Sequence, residues 1–168
     1  MFTQARNPRR EAEFVVAGAA WIRRLLAAMA ACFLAVLALN GAVCHAEEAP
    51  REIKGATTLD SEGAVDLILK TPGIVIIDAR READFDDGHI QGAINIPDTD
   101  LTSEAVLAQA VRSKSTPVLF YCNGFKCGRA AHATTRAIQW NYANVFYFAA
   151  GMEEWKANRL PLVTSSAQ

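Results

Sequence analysis

The sequence contains few side chains that commonly bind metals: three histidines and four cysteines among 168 residues. Two of the cysteines, Cys32 and Cys44, lie near the amino terminus, whereas Cys122 and Cys127 lie close together further on. These cysteines and the scattered histidines lack the spacing that a four-ligand zinc site requires. We therefore predict no metal and no cofactor. The acidic run at residues 84–87 is most simply a solvated surface, with calcium binding as the alternative.

The sequence also lacks a basic stripe, internal repeats and low-complexity tracts. Residues 47–168 contain 12 Lys and Arg against 16 Asp and Glu, which gives this part a net charge of −4. Domains that bind nucleic acid usually present clustered cationic side chains to the phosphates. We therefore expect no nucleic-acid partner. The length suits one domain once any targeting segment is removed.

The amino terminus has the order of a secretory signal peptide: basic, then apolar, then cleavable. Five arginines precede the apolar run Leu25–Leu39, and Ala46 ends a stretch of small residues. We predict that residues 1–46 are a signal peptide and that the protein is exported to the periplasm. The alternative is an uncleaved anchor facing the periplasm, since the apolar patches would approach the ~20 residues that span a bilayer if they joined. Membrane contact is expected only in that case.

After a polar linker at residues 47–55, short apolar or β-branched runs alternate with segments of helical spacing. The predicted strands are Ile74–Ile77, Ala93–Ile96, Val118–Tyr121 and Val145–Phe148. The predicted helices are Ser61–Lys70 (with Asp60 or Ser61 as its cap), Arg81–Asp86, Ser103–Val111, Arg129–Trp140 and Met152–Asn158. This alternation predicts an α/β fold with a central, mostly parallel sheet flanked by helices on both faces.

The most informative segment joins the predicted strand that ends at Tyr121 to the predicted helix that begins at Arg129. Cys122 lies where unpaired N–H groups and the helix dipole favour an anion, so its thiol tends to ionise to the nucleophilic thiolate. Asp78 also ends a predicted strand, and ligands in open α/β sheets bind at the carboxyl ends of strands. We therefore expect Asp78, Arg80 and Cys122 around one crevice, with the Cys122 sulfur facing an amide-lined basin.

Short motifs spread along the chain resemble those of the rhodanese homology domain. In order, they are Ile77-Asp78-Ala79-Arg80, Asp84-Phe85, Gly88-His89-Ile90, Gly92-Ala93, Asn95-Ile96-Pro97, Tyr121-Cys122, Gly151 to Trp155 and Leu160-Pro161. The resemblance covers roughly residues 56–163 and leaves 164–168 as a tail. It is specific because the motifs occur together and in order. It implies a rhodanese-like fold for a single-domain exported protein with a Cys-Asn-Gly-x-x-Cys loop.

The resemblance implies a sulfurtransferase. In this family the loop cysteine, here Cys122, takes sulfane sulfur from a thiosulfate-like or polysulfide donor and passes it to a thiol or cyanide acceptor. The partners are thus a small sulfur donor and a thiol acceptor. Asp78 and Arg80 would support the crevice. The backbone of the active-site loop would hold the persulfide; its residues are Asn123, Gly124, Phe125, Lys126, Cys127, Gly128 and Arg129.

The loop departs from the usual family pattern in two ways. An arginine usually stands where this chain has Cys127, and here Arg129 comes two residues later. The basic residues that commonly follow the cysteine are replaced by Asn123 and Gly124, which leaves Lys126 as the cation inside the loop. We therefore expect weaker activity with thiosulfate, or a different donor. Cys127 is assigned equally to a catalytic or resolving role and to a structural disulfide.

Three other functions compete with sulfur transfer. Cys122 and Cys127 are also compatible with a periplasmic thiol–disulfide oxidoreductase that cycles between paired and free thiols. Cell-cycle phosphatases share the fold, but their loop arginine comes one position earlier than Arg129 does, and an arsenate reductase belongs to the same alternative. A catalytically weak rhodanese-like binding module is the non-enzymatic reading. Among single residues, His89 is read as structural, and Arg80 is alternatively a surface residue paired with Asp78 or Glu82.

Overall fold

The computed structural model of the protein describes residues 48–165. The predicted signal peptide, its alternative as an anchor, and residues 166–168 of the predicted tail lie outside the described residues. Within them, one five-stranded sheet forms the centre of the fold. Its strands are β1 Thr57–Leu59, β2 Val75–Asp78, β3 Ala93–Asn95, β4 Val118–Tyr121 and β5 Val145–Phe148.

The strands lie in the order β1-β5-β4-β2-β3, and every neighbouring pair is parallel. Strand β4 is central, between β2 and β5, and its four residues are buried. The register places Asp78 at the end of β2 opposite Tyr121 at the end of β4. The carboxyl ends of the two strands therefore meet, which brings the segments after Asp78 and after Tyr121 to one edge of the sheet.

Five helices connect and cover the strands in the described chain: α1 Ser61–Lys70, α2 Glu82–Asp86, α3 Glu104–Ala110, α4 Arg129–Gln139 and α5 Gly151–Ala157. The Asp60 side chain accepts a 2.8 Å hydrogen bond from the Gly63 N–H and so caps α1. This cap satisfies one of the amides that a helix start leaves without a partner, as the sequence predicted.

The sheet separates two hydrophobic clusters, because side chains alternate between its faces along each strand. Phe120 belongs to one cluster, together with Ala133 and Ala137 of α4. Leu119 belongs to the other, together with Ala64 of α1 and further residues of α5. The small alanines on α4 are fully buried, which lets this helix lie close to the sheet. The predicted parallel sheet with helices on both faces is confirmed.

Strand β1 was not predicted from the sequence. It has three residues, lies at one edge of the sheet and pairs with β5 alone. Two threonines and one leucine give too short a pattern to distinguish a strand from a loop, so the pairing depends on contacts with β5, far along the chain. The other predicted elements occur with each end shifted by one residue at most. Helix α3 is shortened by one residue at each of its two ends.

Candidate active site

Cys122 follows the last residue of β4, and α4 begins seven residues later at Arg129. Its side chain continues the face of β4 to which Phe120 belongs, and it packs in the same cluster as Ala130 of α4. Only 2% of Cys122 is exposed. The predicted strand–loop–helix arrangement is thus present, but the sulfur lies beneath the loop rather than at its surface.

The Cys122 sulfur is joined to Cys127 in a disulfide, with a Cα–Cα distance of 6.3 Å. This separation is within the range of about 4.4–6.8 Å that disulfides span. A hydrogen bond of 2.9 Å from the Cys127 N–H to the Gly124 carbonyl turns the loop back on itself. This turn places Cys127 next to Cys122.

A cavity of about 370 Å³ lies in front of the loop. Its lining residues are Asp98, Asn123, Lys126, Cys127, Gly128, Arg129 and His132. Cys127 lines this cavity and is partly exposed, whereas Cys122 is buried behind it. The expectation of an open, ionised Cys122 facing the basin is therefore corrected, since the disulfide holds that sulfur inside and presents Cys127 instead.

The main-chain N–H groups of the loop bear on the anion site that the sequence predicts. Within residues 48–165, the amides of residues 123–126 donate no hydrogen bond to another protein group. The first amides of α4 follow them and have no intrahelical acceptor because they form the start of the helix. A run of such amides is suited to bind an anion next to Cys122.

Asp78 and Arg80 form a buried ion pair beneath the loop. The Arg80 Nη2 lies 2.6 Å from Asp78 Oδ2, its Nε lies 3.0 Å from both carboxylate oxygens, and the two side chains are at most 2% exposed. Burial alone lowers the pKa of Arg80, but the hydrogen bond and charge of Asp78 outweigh that effect and raise it. The pair is buried and not at the surface, and Glu82 is not its partner.

Arg80 also connects this ion pair to the loop and to the segment after α2. Its Nη2 donates a 2.8 Å hydrogen bond to the Gly88 carbonyl, and its Nη1 lies 3.4 Å from Asn123 Oδ1. The guanidinium thus contacts the residue directly after Cys122. The ion pair and the bond to Gly88 are buried, the contact with Asn123 is partly buried, and Arg80 does not line the cavity. Arg80 therefore supports the shape of the loop.

The start of α5 holds the loop from behind, a contact that the sequence did not reveal. The Met152 N–H donates to the Cys122 carbonyl at 2.9 Å, and the Glu153 N–H donates to the Asn123 carbonyl at 2.8 Å. Gly151 has a φ of +52°, and a Cβ there would lie 2.9 Å from the Cys122 carbonyl carbon. The backbone can approach this closely only because residue 151 is glycine.

Part of the predicted linker packs on the loop. The Ala49 N–H donates a 2.6 Å hydrogen bond to the Phe125 carbonyl, and the Arg51 guanidinium lies 4.3 Å above the Phe125 ring. The Pro50 carbonyl accepts a 3.0 Å hydrogen bond from Tyr147 Oη. Residues 49–51 therefore cover the outer side of the loop, although their composition indicated only a connection.

Asp98 is a further residue at the cavity that the sequence did not single out. Its carboxylate lies 3.2 Å from Arg129 Nε and 3.5 Å from His132 Nδ1. Arg129 and Asp98 form an ion pair but no hydrogen bond, since Asp98 Oδ1 has no hydrogen-bond partner in the described part of the chain. Arg136 holds the segment after β3 by donating to the Asp98 carbonyl at 2.8 Å. The cavity therefore contains one carboxylate among its cations.

A family model described as Rhodanese-like domain matches residues 61–158, which is more than half of the chain. The chain belongs to the rhodanese-like domain family. The match lies within the region of roughly 56–163 over which the sequence motifs resemble the family.

Among known relatives, the uncharacterized protein YibN of Escherichia coli K12 is 30% identical over 104 residues, which covers 61% of this chain and 70% of YibN. The BH2092 protein of Bacillus halodurans has a TM-score of 0.56 at 22% identity, covering 66% of this chain and 78% of that one. A thiosulfate sulfurtransferase of Pseudomonas aeruginosa also has a TM-score of 0.56 at 22% identity, covering 67% of this chain and 21% of that one. These two structural likenesses show the fold.

Other sequence-predicted residues of this rhodanese-like domain lie away from the cavity. His89 is buried, its Nδ1 lies 2.9 Å from the Phe85 carbonyl, and its ring stacks on Phe85 at 3.6 Å. These contacts confirm that His89 secures the turn after α2. Residues 84–87 lie on that helix and its end, where Asp84 pairs with Arg81. Across residues 48–165, no group of three or more His, Cys, Asp or Glu side chains is placed to hold a metal ion.

Helices that are long and apolar enough to cross a membrane do not occur among residues 48–165 of this rhodanese-like domain.

Proposed function

We propose that this rhodanese-like domain is a sulfurtransferase that carries sulfane sulfur as a persulfide on Cys122. The donor is a thiosulfate-like compound or a polysulfide, and the acceptor is a thiol or cyanide. The observation that supports this most is the position of Cys122, which follows the central strand and precedes a run of loop amides without internal acceptors. Those amides are suited to hold the negative charge of a thiolate or a persulfide.

The proposed transfer has two displacement steps. The Cys122 thiolate attacks the outer sulfur of the donor, and the donor's S–S bond breaks as the new S–S bond forms. The rest of the donor leaves with the electron pair, as sulfite when the donor is thiosulfate. An acceptor thiolate or cyanide then attacks the outer sulfur, and the electron pair of the persulfide bond returns to Cys122.

The disulfide must be reduced before the first step. Cys127 is the partly exposed sulfur at the cavity, so an external thiolate would attack Cys127 and Cys122 would leave as the thiolate. The leaving sulfur then lies beside the loop amides, which stabilise its charge. We accordingly propose export to an oxidising compartment such as the periplasm, where this disulfide would persist until a thiol reaches it.

The charges at the cavity bear on the choice of donor. Lys126 and Arg129 attract anions, but the Asp98 carboxylate lies 3.2 Å from Arg129 Nε and offsets the charge of that arginine. We therefore propose that thiosulfate, which carries two negative charges, is held weakly in this cavity and is a weak donor.

Intact-mass analysis of the reduced protein after exposure to a sulfur donor tests the proposal. We expect a mass increase of one sulfur atom on Cys127→Ser, which keeps Cys122 but has no second thiol in the loop, and none on Cys122→Ser, with thiosulfate, polysulfide and glutathione persulfide tried separately. Digestion and peptide mapping should place the added sulfur on Cys122. Absence of the added sulfur with all three donors would contradict the proposed function.

Thiol–disulfide exchange is a second candidate, which the disulfide itself favours. Exchange requires both sulfurs of the loop, whereas formation of a persulfide requires Cys122 alone. Oxidation of a reduced dithiol peptide by the oxidised protein measures this activity directly. Activity that is catalytic in the wild type and absent from Cys127→Ser, together with no persulfide on either, would favour exchange over sulfur transfer.

A further inference from the structure

We infer that Cys127 resolves the persulfide on Cys122. Its thiolate attacks the Cys122 sulfur, the disulfide seen in the structure forms, and the carried sulfur leaves as hydrosulfide. Because Cys127 acts on a persulfide at Cys122, this role rests on the proposed function. The reaction class is sulfide release from a sulfane donor, in addition to transfer to an external acceptor.

The loop geometry matches the product of this step. The turn closed by the Cys127 N–H and the Gly124 carbonyl brings the two Cα atoms to 6.3 Å, so the two sulfurs meet without a change of fold. A thiolate at Cys127 would lie within the same loop as a persulfide at Cys122. Attack within one short loop avoids the entropic penalty of bringing two molecules together.

The contacts around the two cysteines differ, and this difference indicates their roles. The backbone at Cys122 and Asn123 is bound from α5 by the Met152 and Glu153 amides, and Gly151 packs directly against it. Cys127 is tied within the loop by its bond to Gly124 and is partly exposed at the cavity. The sulfane sulfur needs about 2 Å of additional room at Cys122. Cys127 is therefore the sulfur that withdraws to admit the donor and then returns to attack.

Atoms and electrons balance when thiosulfate is the donor. The reduced protein and thiosulfate give the Cys122–Cys127 disulfide, hydrosulfide and hydrogen sulfite, so the sulfane sulfur is reduced while the two thiols are oxidised. One thiol proton leaves on hydrosulfide and the other on hydrogen sulfite. Regeneration requires an external dithiol, which attacks the partly exposed Cys127 sulfur and returns both cysteines to thiols. The loop then couples a dithiol reductant to sulfide release.

A single-turnover experiment on the reduced protein tests this role. Thiosulfate, whose leaving group is not a thiol, is added in an amount equal to the protein in the absence of thiols, and the hydrosulfide formed is measured together with the intact mass. The variants are Cys127→Ser and, as a control, Cys127→Ser combined with Ser115→Cys. Ser115 is exposed and precedes β4, so the control restores a thiol at the opposite end of that strand from Cys122.

The wild type should release close to one hydrosulfide per chain and lose the mass of two hydrogens as the disulfide forms. Cys127→Ser should keep the added sulfur and release less than about a tenth as much hydrosulfide, because no second thiolate attacks the persulfide. The control should behave like Cys127→Ser. A persulfide retained on the wild type and on Cys127→Ser alike, with equal hydrosulfide released from each, would overturn the resolving role alone. Absence of the added sulfur from Cys127→Ser and of hydrosulfide from the wild type would overturn the proposed function as well.

Discussion

Replacement of Gly151 by alanine should destabilise the protein through a direct collision with the active-site loop. Gly151 begins α5 with a φ of +52°, in the left-handed region that disfavours residues with a Cβ. A Cβ there would lie inside van der Waals distance of the Cys122 carbonyl oxygen, 2.9 Å from its carbonyl carbon and 3.2 Å from the Asn123 carbonyl carbon. All three atoms are backbone, so no flexible side chain can move aside.

The expected loss of stability has two parts. The left-handed conformation is unfavourable for alanine by about 1–2 kcal/mol. Relief of the collision requires the loop to move away from α5, which loses the hydrogen bond from the Met152 N–H to the Cys122 carbonyl, worth about 1 kcal/mol net. The sum of about 2–3 kcal/mol would shift the midpoint of urea unfolding by about 1–2 M, since small domains have slopes of about 1–3 kcal/mol per M.

Gly73→Ala is the matched control for this substitution. Gly73 also has a positive φ, +81°, but a Cβ there would meet no heavy atom within 4 Å. The control therefore includes the conformational part, about 1–2 kcal/mol, without the collision. Urea unfolding followed by circular dichroism measures both variants. A loss for Gly151→Ala no larger than that for Gly73→Ala would refute the collision and the claim that α5 positions Cys122.

Two further predictions concern buried groups. Arg80→Met should lower the free energy of unfolding by about 3–5 kcal/mol, because the fully buried Asp78 carboxylate loses its partner. Addition of Asp78→Asn to this variant should recover part of that loss in urea unfolding. Equal stability of the single and the double variant would contradict the role of the pair. Burial raises the pKa of all three tyrosines, Tyr121, Tyr142 and Tyr147, with the Asp78 charge adding to the effect at Tyr121. The raised pKa values favour the neutral form in the folded state, so stability should be complete below the unfolded pKa of about 10 and fall as the pH rises above it. Tyrosinate absorbance should therefore appear only together with loss of circular dichroism, and a separate earlier titration would show that the rings are accessible.

The central part of the fold was predictable because its signals are local. The apolar run Val118–Tyr121 gives β4, the small residues of 129–140 give the face of α4, and the alternation of strands with helices gives the parallel sheet. Cys122 follows that strand in the sequence, so its position before the helix did not depend on any distant contact. The same holds for Asp78, which ends β2.

The rest of the site depends on contacts between distant parts of the chain. Residues 49–51 contain a proline and charged neighbours, which is typical of a linker, and their packing on Phe125 follows only from the fold. Asp98 reaches the cavity because Arg136 binds its backbone, a contact between residues 38 positions apart. The approach of Gly151 to Cys122 likewise arises when α5 packs against the loop. Periodicity carries no information on any of these contacts.

The unequal surroundings of the two cysteines argue against an exchange of their roles. A donor reaches Cys127 more easily, because Cys127 lines the cavity and Cys122 is buried behind it. The backbone of Cys122 and Asn123 is held from α5 by the Met152 and Glu153 amides, whereas the Cys127 N–H is bonded within the loop, to the Gly124 carbonyl. The amides of residues 123–126 lie between the two cysteines and border both, so they can stabilise a thiolate at either position. Accessibility therefore assigns Cys127 to exchange with external thiols, and the fixed position at the end of β4 assigns Cys122 to carry the sulfur.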